Sequence, residues 1–336
     1  MDYKKELLEL KDKTVAVVYI FENENAKGFT HYHIWKSSVI SRWINAIEKI
    51  NCIPYIIDVR EFVLKAMNNT LPHIDYVLNL NCGSEKLCSM SLIPSTCSFL
   101  DIPCIPCDAS SIVMGENKKI SNLIATAMDL NVPQNIHTPQ DEAIYRPLNF
   151  GSSLGIEKGK KEHINQNELY QQFIPGYDIT FPFMYNPLEN KLDFLPGVLY
   201  LPYTKDPNWF FGEKEKSGKK TYENYPLYYL SKNAKEKLMS FAEAFPIETY
   251  GRIDVRLQCN NKLSKSICDK EIQANDIYFV EINPMPTVKL NNAFYFSFEH
   301  IDERNIFSVC LNIQKQIYQN VDVNTFLLSN SMLALK

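Results

Sequence analysis

The chain has 336 residues, 45% hydrophobic and 22% charged, with a net charge of −4. This is ordinary globular composition, enough for roughly two or three domains. It excludes a basic nucleic-acid face, since even the charge run EKEKSGKK (213–220) is mixed in sign and reads as a solvated loop. No apolar run reaches membrane-spanning length, and the opening residues MDYKKELLELKDK lack the apolar stretch of a signal peptide. A soluble, cytoplasmic protein with neither nucleic-acid nor membrane partners is expected. Most of the nine cysteines sit in apolar segments (Cys52, Cys97, Cys310), where a thiol packs as a small hydrophobe. Cys104 and Cys107 form a C-x-x-C, but no second Cys/His pair stands at metal-binding spacing.

In chain order, KTVAVVYIF (13–21) reads as a buried parallel strand. After a polar stretch, Ile34, Trp35, Ile40, Trp43, Ile44 and Ile47 recur at helical spacing. CIPYIIDV (52–59) and DYVLNL (75–80) read as strands, and a short helix near 94–100 precedes a strand at IPCIP. This β-α-β-β-α-β order predicts a doubly wound α/β domain over residues 1–110. A helix (117–130), strands at 142–147 and 169–174 and the intervening glycine-hydroxyl loop predict a small α+β module over 111–178. Residues 179–336 form a second α+β unit, with strands at 195–202, 250–258 and 277–283, a helix at 231–245 and a final amphipathic helix at 302–318.

Two of these strands carry oxygen ligands. In YGRIDVRLQ (250–258), Ile253, Val255 and Leu257 share one face and Arg252, Asp254 and Arg256 the other. In IYFVEINPMP (277–286), the same parity puts Phe279, Glu281 and Asn283 on one face, and Pro284 and Pro286 stop the strand just after. Two carboxylates and an amide oxygen from neighbouring strands suit Mg²⁺, which takes one or two carboxylates and keeps positions for water and phosphate. Upstream, RPLNFGSSLGI (146–156) brackets two serines with Gly151 and Gly155, a turn able to converge backbone N–H groups on an anion, with Arg146 beside it. It lacks the Gly-Lys-Ser/Thr ending of a Walker loop.

GSSLG, QQFIPGYD, GRIDV and FVEINPMP, in that order, resemble the ATP-grasp superfamily, and within it the D-alanine–D-alanine ligases. The resemblance runs from the first strand to about residue 292. It implies an ATP-dependent carboxylate–amine ligase, joining a small-molecule acid to an amine, with ATP and Mg²⁺ (or Mn²⁺) as cofactors and a homodimer as the family's habit. By resemblance, Asp254, Glu281 and Asn283 match the metal ligands, and Arg252 the arginine at the transferring phosphate. Lys118 and Arg146 match phosphate-binding cations, Arg146 standing where the family usually has lysine. Ser152 and Ser153 match the lid over the phosphates. Gln171 stands where a glutamate accepts from the adenine amino group, Ile174 would meet adenine through its backbone, and Asp178 matches the acid that holds the ribose. Lys216 matches the lysine of the closing loop. On residue type alone, Lys118 is an exposed helix lysine, Gln171 an outward strand residue and Asp178 a turn residue; their shared order reverses those readings.

The substrate half departs from the family. Where its glutamate grips the first substrate, Tyr32 stands between His31 and His33. Thr287 and Asn292 replace a glycine and a serine that help bind the second substrate. The segments 133–146 and 155–170 are shortened, with a strand and helix missing from the central module, and 259–276 makes a longer hairpin. The expected activity is therefore amide formation on amino-acid substrates other than two D-alanines. D-alanine–D-alanine ligation and a non-catalytic ATP-binding regulator are the alternatives.

Overall fold

The computed structural model describes residues 2–21, 35–83, 89–138, 143–149, 151, 153, 155–161, 163, 165–212, 220–263 and 265–336. The chain opens with α1 (Tyr3–Leu8), β1 (Thr14–Tyr19), α2 (Ser37–Lys49), β2 (Ile53–Asp58), α3 (Val59–Met67), β3 (Tyr76–Asn79), α4 (Leu92–Leu100) and β4 (Cys104–Ile105). These strands pair in parallel, in the order β2-β1-β3-β4. The period-2 rule is visible in β1: Val15 and Val17 pack into the cluster holding Trp43 and Ile47 of α2, while Ala16 and Val18 pack with Phe62 of α3 and Cys97 of α4. The sheet is thus covered on both faces, as expected of a doubly wound domain.

The helix α3 is absent from the predicted order. Asp58 ends β2 and begins the helix at once, its Oδ1 accepting the Arg60 N–H at 2.8 Å, so no turn residue separates them. Val59, Phe62 and Ala66 then fall on one buried face. Strand order reverses between β1 and β3, and ligands of open α/β sheets bind at the carboxyl edge of such a reversal. That edge continues into Leu80, whose carbonyl accepts the Trp35 indole N–H at 2.6 Å.

Two helices, α5 (Ala109–Glu116) and α6 (Lys118–Ala127), meet at Asn117, whose side chain caps α6 by accepting from the N–H groups of Lys119 and Ile120. Next come β5 (Ala143–Pro147), β6 (Glu157–Gly159) and β7 (Glu168–Gln172), an antiparallel sheet of order β6-β5-β7. The described residues between Pro133 and Arg146 contain no helix. The remaining strands are β8 (Gly176–Asn186), β9 (Lys191–Phe194), β10 (Gly197–Pro202), β11 (Tyr222–Leu227), β12 (Tyr250–Gln258) and β13 (Ile277–Asn283). They form an antiparallel sheet of order β11-β10-β8-β12-β13, with β9 paired to β8. α7 (Lys232–Glu243), α8 (Ala293–Glu299), α9 (Phe307–Ile317) and α10 (Val323–Ala334) complete the chain.

The expected final helix is shorter, and α10 beyond it was not anticipated. α10 is buried all round and has no polar stripe to betray it. Its Asn330 and Ser331 donate to carbonyls one turn back, at 2.8 and 2.7 Å, and Asn330 Oδ1 accepts the Tyr3 hydroxyl at 2.8 Å. No helix among the described residues is long and apolar enough to cross a membrane.

β8 lies between β10 and β12, and it begins at Gly176 for a steric reason. That residue has φ +149°, and a Cβ there would stand 1.9 Å from the Leu257 carbonyl oxygen of β12. Gly176→Ala should therefore lower stability by about 2–4 kcal/mol. Urea unfolding measures this; an unchanged midpoint would contradict the close approach of the two strands.

Candidate functional site

The register of β12 against β13 sets Asp254 opposite Glu281 and Arg252 opposite Asn283. A bulge lies beside this pair: Asp254 pairs with Glu281 but Val255 with Phe279, so the ladder skips Val280. Simple alternation places Phe279 and Glu281 on one face. The bulge separates them, leaving Phe279 in the core while Glu281 lines the cavity. Asn283 Nδ2 donates to Asp254 Oδ2 at 3.0 Å and to Glu281 Oε1 at 3.2 Å, so both carboxylates converge on one point. Thr180 of β8, opposite Asp254 in register, donates to its Oδ1 at 2.7 Å, and Arg252 Nη2 stands 3.2 Å from Oδ2. Burial works against the Arg252 charge, but Asp254, Tyr200 and Glu281 outweigh it and hold its pKa above the ordinary value. Arg252 Nε is buried with no partner among the described residues. Gly251 precedes it because a Cβ there would meet the Phe183 ring at 2.5 Å.

Two further cations stand behind the acids. Lys118 and Arg146 are each only 4% exposed. Lys118 Nζ lies 3.9 Å from Glu281 Oε2. Burial lowers the Lys118 pKa to about 8, against the pull of Glu281, and lowers that of Arg146 as well. Arg146 Nη1 donates at 3.0 Å to the carbonyl of Val280, the residue skipped by the bulge. Its Nη2 donates at 2.9 Å to Oε1 of Gln171, whose Nε2 donates to the Pro133 carbonyl at 3.0 Å. Lys118 and Gln171 are thus neither an exposed helix lysine nor an outward strand residue. The oxygen of Gln171, expected to meet an adenine amino group, is turned toward Arg146.

Ile174 and Asp178 lie where β7 passes into β8, and both line the cavity. Both are engaged by a residue to which the sequence reading gave no role. Arg256 Nε donates to the Ile174 carbonyl, and its Nη1 pairs with Asp178 Oδ1 at 2.9 Å. Its signal in the sequence is its position, two and four residues from Asp254 and Arg252 on the same strand face. In the serine loop, Ser153 (φ +59°) and Gly155 (φ +68°) both take the left-handed conformation. Ser152, Lys216, His31, Tyr32 and His33 lie outside the described residues. Asn292 caps α8, its Oδ1 accepting the Tyr295 N–H at 3.3 Å while its Nδ2 donates to the Thr287 carbonyl. That cap gives both residues a local structural task.

All of the described site residues line one cavity of about 1160 Å³, above the size that usually holds one small ligand. It extends from Lys118, Arg146 and Gln171, past Asp254 and Glu281, to Trp35 and Cys82 near the parallel-sheet edge and to Thr287 and Asn292. No group of three His, Cys, Asp or Glu side chains suited to a metal exists among the described residues. Two carboxylates and an amide are nevertheless the sparse hard-oxygen set that Mg²⁺ accepts when phosphate and water complete its shell. The Asn283 amide nitrogen lies where the two acids converge, and turning the amide over would bring its oxygen there, so these residues fit such an ion.

No family model matches the chain, and no curated protein matches it in sequence. Solved structures do match its fold. D-alanyl-alanine synthetase A from Vibrio cholerae superposes with a TM-score of 0.63 at 14% identity, over 97% of this chain and 99% of that one. D-alanine–D-alanine ligase from Bacillus anthracis, complexed with ATP, gives 0.62 at 12% identity, over 96% and 98%. An ATP-grasp superfamily protein from Archaeoglobus fulgidus gives 0.53 at 11% identity, over 82% of each chain. The chain has the ATP-grasp fold, in the form seen in D-alanine–D-alanine ligases.

The buried lysine has a pH signature. With a pKa of about 8 in the folded chain and 10.5 when unfolded, Lys118 holds its proton longer in the unfolded state. Its contribution to stability should rise with pH between these values and be flat below about 8. Urea unfolding of the parent and Lys118→Met in chelator, from about pH 7 to about pH 10, isolates this. The stability difference should shift in the parent's favour across that window, and a constant difference would contradict the buried placement.

Proposed function

We propose that this protein is an ATP-dependent ligase that joins a carboxylate to an amine through an acyl phosphate, acting on amino-acid substrates other than two D-alanines. The observation that carries this reading is the pair Asp254 and Glu281, directly opposed and bridged by Asn283, with Lys118, Arg146 and Arg252 around the same cavity. The coordinates of a neighbour with the same fold contain ATP, which supports the assignment of that cofactor. We also propose a three-part organisation, 1–110, 111–178 and 179–336, with the cavity between the parts.

In the reaction, a carboxylate oxygen of the acid bonds to the γ-phosphorus as the bond to the β,γ-bridging oxygen breaks, releasing ADP. A neutral amine then bonds to the carbonyl carbon, phosphate leaves with the electron pair of the C–O bond, and the nitrogen gives up its proton to that phosphate or to water. Charge spreads over the moving phosphoryl oxygens, so donors must already be in place. Lys118 and Arg146 hold the nucleotide phosphates, and burial keeps both from being screened by water. Arg252 faces the transferring phosphate with donors held by Asp254. Asp254, Glu281 and Asn283 would hold Mg²⁺, which neutralises phosphate charge when bound. Phe210 and Phe211 line the same cavity and help keep water from the acyl phosphate.

The reading against D-alanine as the substrate pair rests on the far end of the cavity. There Asn292 and Thr287 are tied to each other in the cap of α8. A non-catalytic nucleotide-binding role is the second reading, and it draws on Arg146 and Gln171, which stand where the family pattern has lysine and glutamate.

A phosphate-release screen over pairs of amino acids and small acids, with D-alanine included, separates these. The ligase reading expects phosphate and ADP only when an acid and an amine are both present. Glu281→Gln should cut that release by about a hundredfold or more. ATP binding without turnover across the whole panel would favour the regulator, and full activity of Glu281→Gln would sink the metal assignment.

A further inference from the structure

Arg256 lies on the functional face of β12 and belongs to none of the roles above. It joins two segments that are far apart in sequence. Toward residues 173–178, Nε donates to the Ile174 carbonyl, Nη1 pairs with Asp178 Oδ1 at 2.9 Å, and Nη2 lies 3.0 Å from the Gly176 carbonyl. Toward residues 207–211, Nη2 reaches the carbonyls of Pro207 at 3.1 Å and Trp209 at 2.7 Å. The guanidinium also covers the Phe173 ring, 4.8 Å from its centroid. Asp178 completes the joint: its second oxygen accepts the Phe211 N–H at 2.8 Å. Arg256 and Asp178 thus reinforce a joint that the Gly176 N–H also makes to the Pro207 carbonyl at 2.7 Å, and that sets the β7–β8 passage against the segment carrying Phe210 and Phe211 into the cavity.

The Asp178 side chain is still 20% exposed and lines the cavity. An ionised carboxylate offers about four acceptor positions, and Arg256 and Phe211 occupy two. A vicinal diol can add to the remaining positions without displacing the arginine, but it must share an oxygen with the Phe211 N–H or with Arg256. Occupancy at Asp178 is thereby felt directly in residues 207–211.

We propose that Arg256 is a positioning residue that couples ribose binding at Asp178 to the seating of the Pro207–Phe211 segment over the cavity. The proposal rests on the nucleotide reading above. Lysine cannot replace the arginine in this role, because a single ammonium cannot span carbonyls of both segments and the carboxylate together.

Trp209 supplies the probe. Its carbonyl is held by Arg256, and its ring contacts Phe211 and Tyr222 at 6.0 and 5.9 Å between centroids. The full-length protein is titrated with Mg²⁺-ATP and with Mg²⁺-2′,3′-dideoxy-ATP, following binding by calorimetry and tryptophan emission in parallel. ATP should shift the emission of the parent and not of Trp209→Phe, while both bind it. The dideoxy nucleotide at saturation should bind without the shift. Arg256→Lys should bind ATP within about tenfold of the parent, keeping a cation for Asp178, yet lose the shift. The coupling is overturned if saturating dideoxy nucleotide gives the ATP shift, if Arg256→Lys retains it in full, or if the parent binds ATP with no Trp209 response. Failure of the parent to bind ATP at all overturns the nucleotide reading and this proposal with it.

Discussion

The site depends on one irregularity in one ladder. Asp254 and Glu281 oppose each other across β12 and β13, and the skipped residue Val280 makes this possible. Without the bulge, strand parity would bury Glu281 with Phe279 or expose both. With it, Phe279 fills the core, Glu281 enters the cavity, and the Val280 carbonyl accepts Arg146 from a different sheet. A single local departure thus positions an acid and anchors a buried cation.

The surrounding charge is arranged at a cost that suggests its purpose. Lys118, Arg146 and Arg252 gather beside Asp254 and Glu281 where water is scarce, and burial lowers the pKa values of Lys118 and Arg146. Burying a cation is unfavourable unless partners or a ligand offset it. Lys118 stands 3.9 Å from Glu281, while Arg146 donates to a carbonyl and an amide oxygen, both neutral. Such a cluster is stabilised most by an incoming anion, which fits nucleotide phosphates.

The two acid-bearing strands and the parallel N-terminal sheet were legible because each has a local signature: period-2 alternation and β-rich apolar runs. The helix α3 was not, because Asp58 serves as both strand end and helix cap without an intervening turn. α10 was hidden because a helix buried on every side carries no amphipathic stripe. In the site, Asp254, Glu281 and Asn283 could be read from motif order, but the bulge could not, since it follows from pairing between segments. The task of Arg256 is hidden in the sequence for the same reason: its partners Ile174, Asp178, Pro207 and Trp209 are brought to it only by the fold.

The central claim is that Asp254 and Glu281 jointly hold a metal–nucleotide complex. Electron paramagnetic resonance of Mn²⁺ with ATP tests it most directly. The parent should immobilise Mn²⁺ when ATP is present, and Asp254→Asn and Glu281→Gln should each abolish this while retaining a folded circular dichroism spectrum. Equal Mn²⁺ binding by the parent and both variants, or none by the parent, would contradict the account.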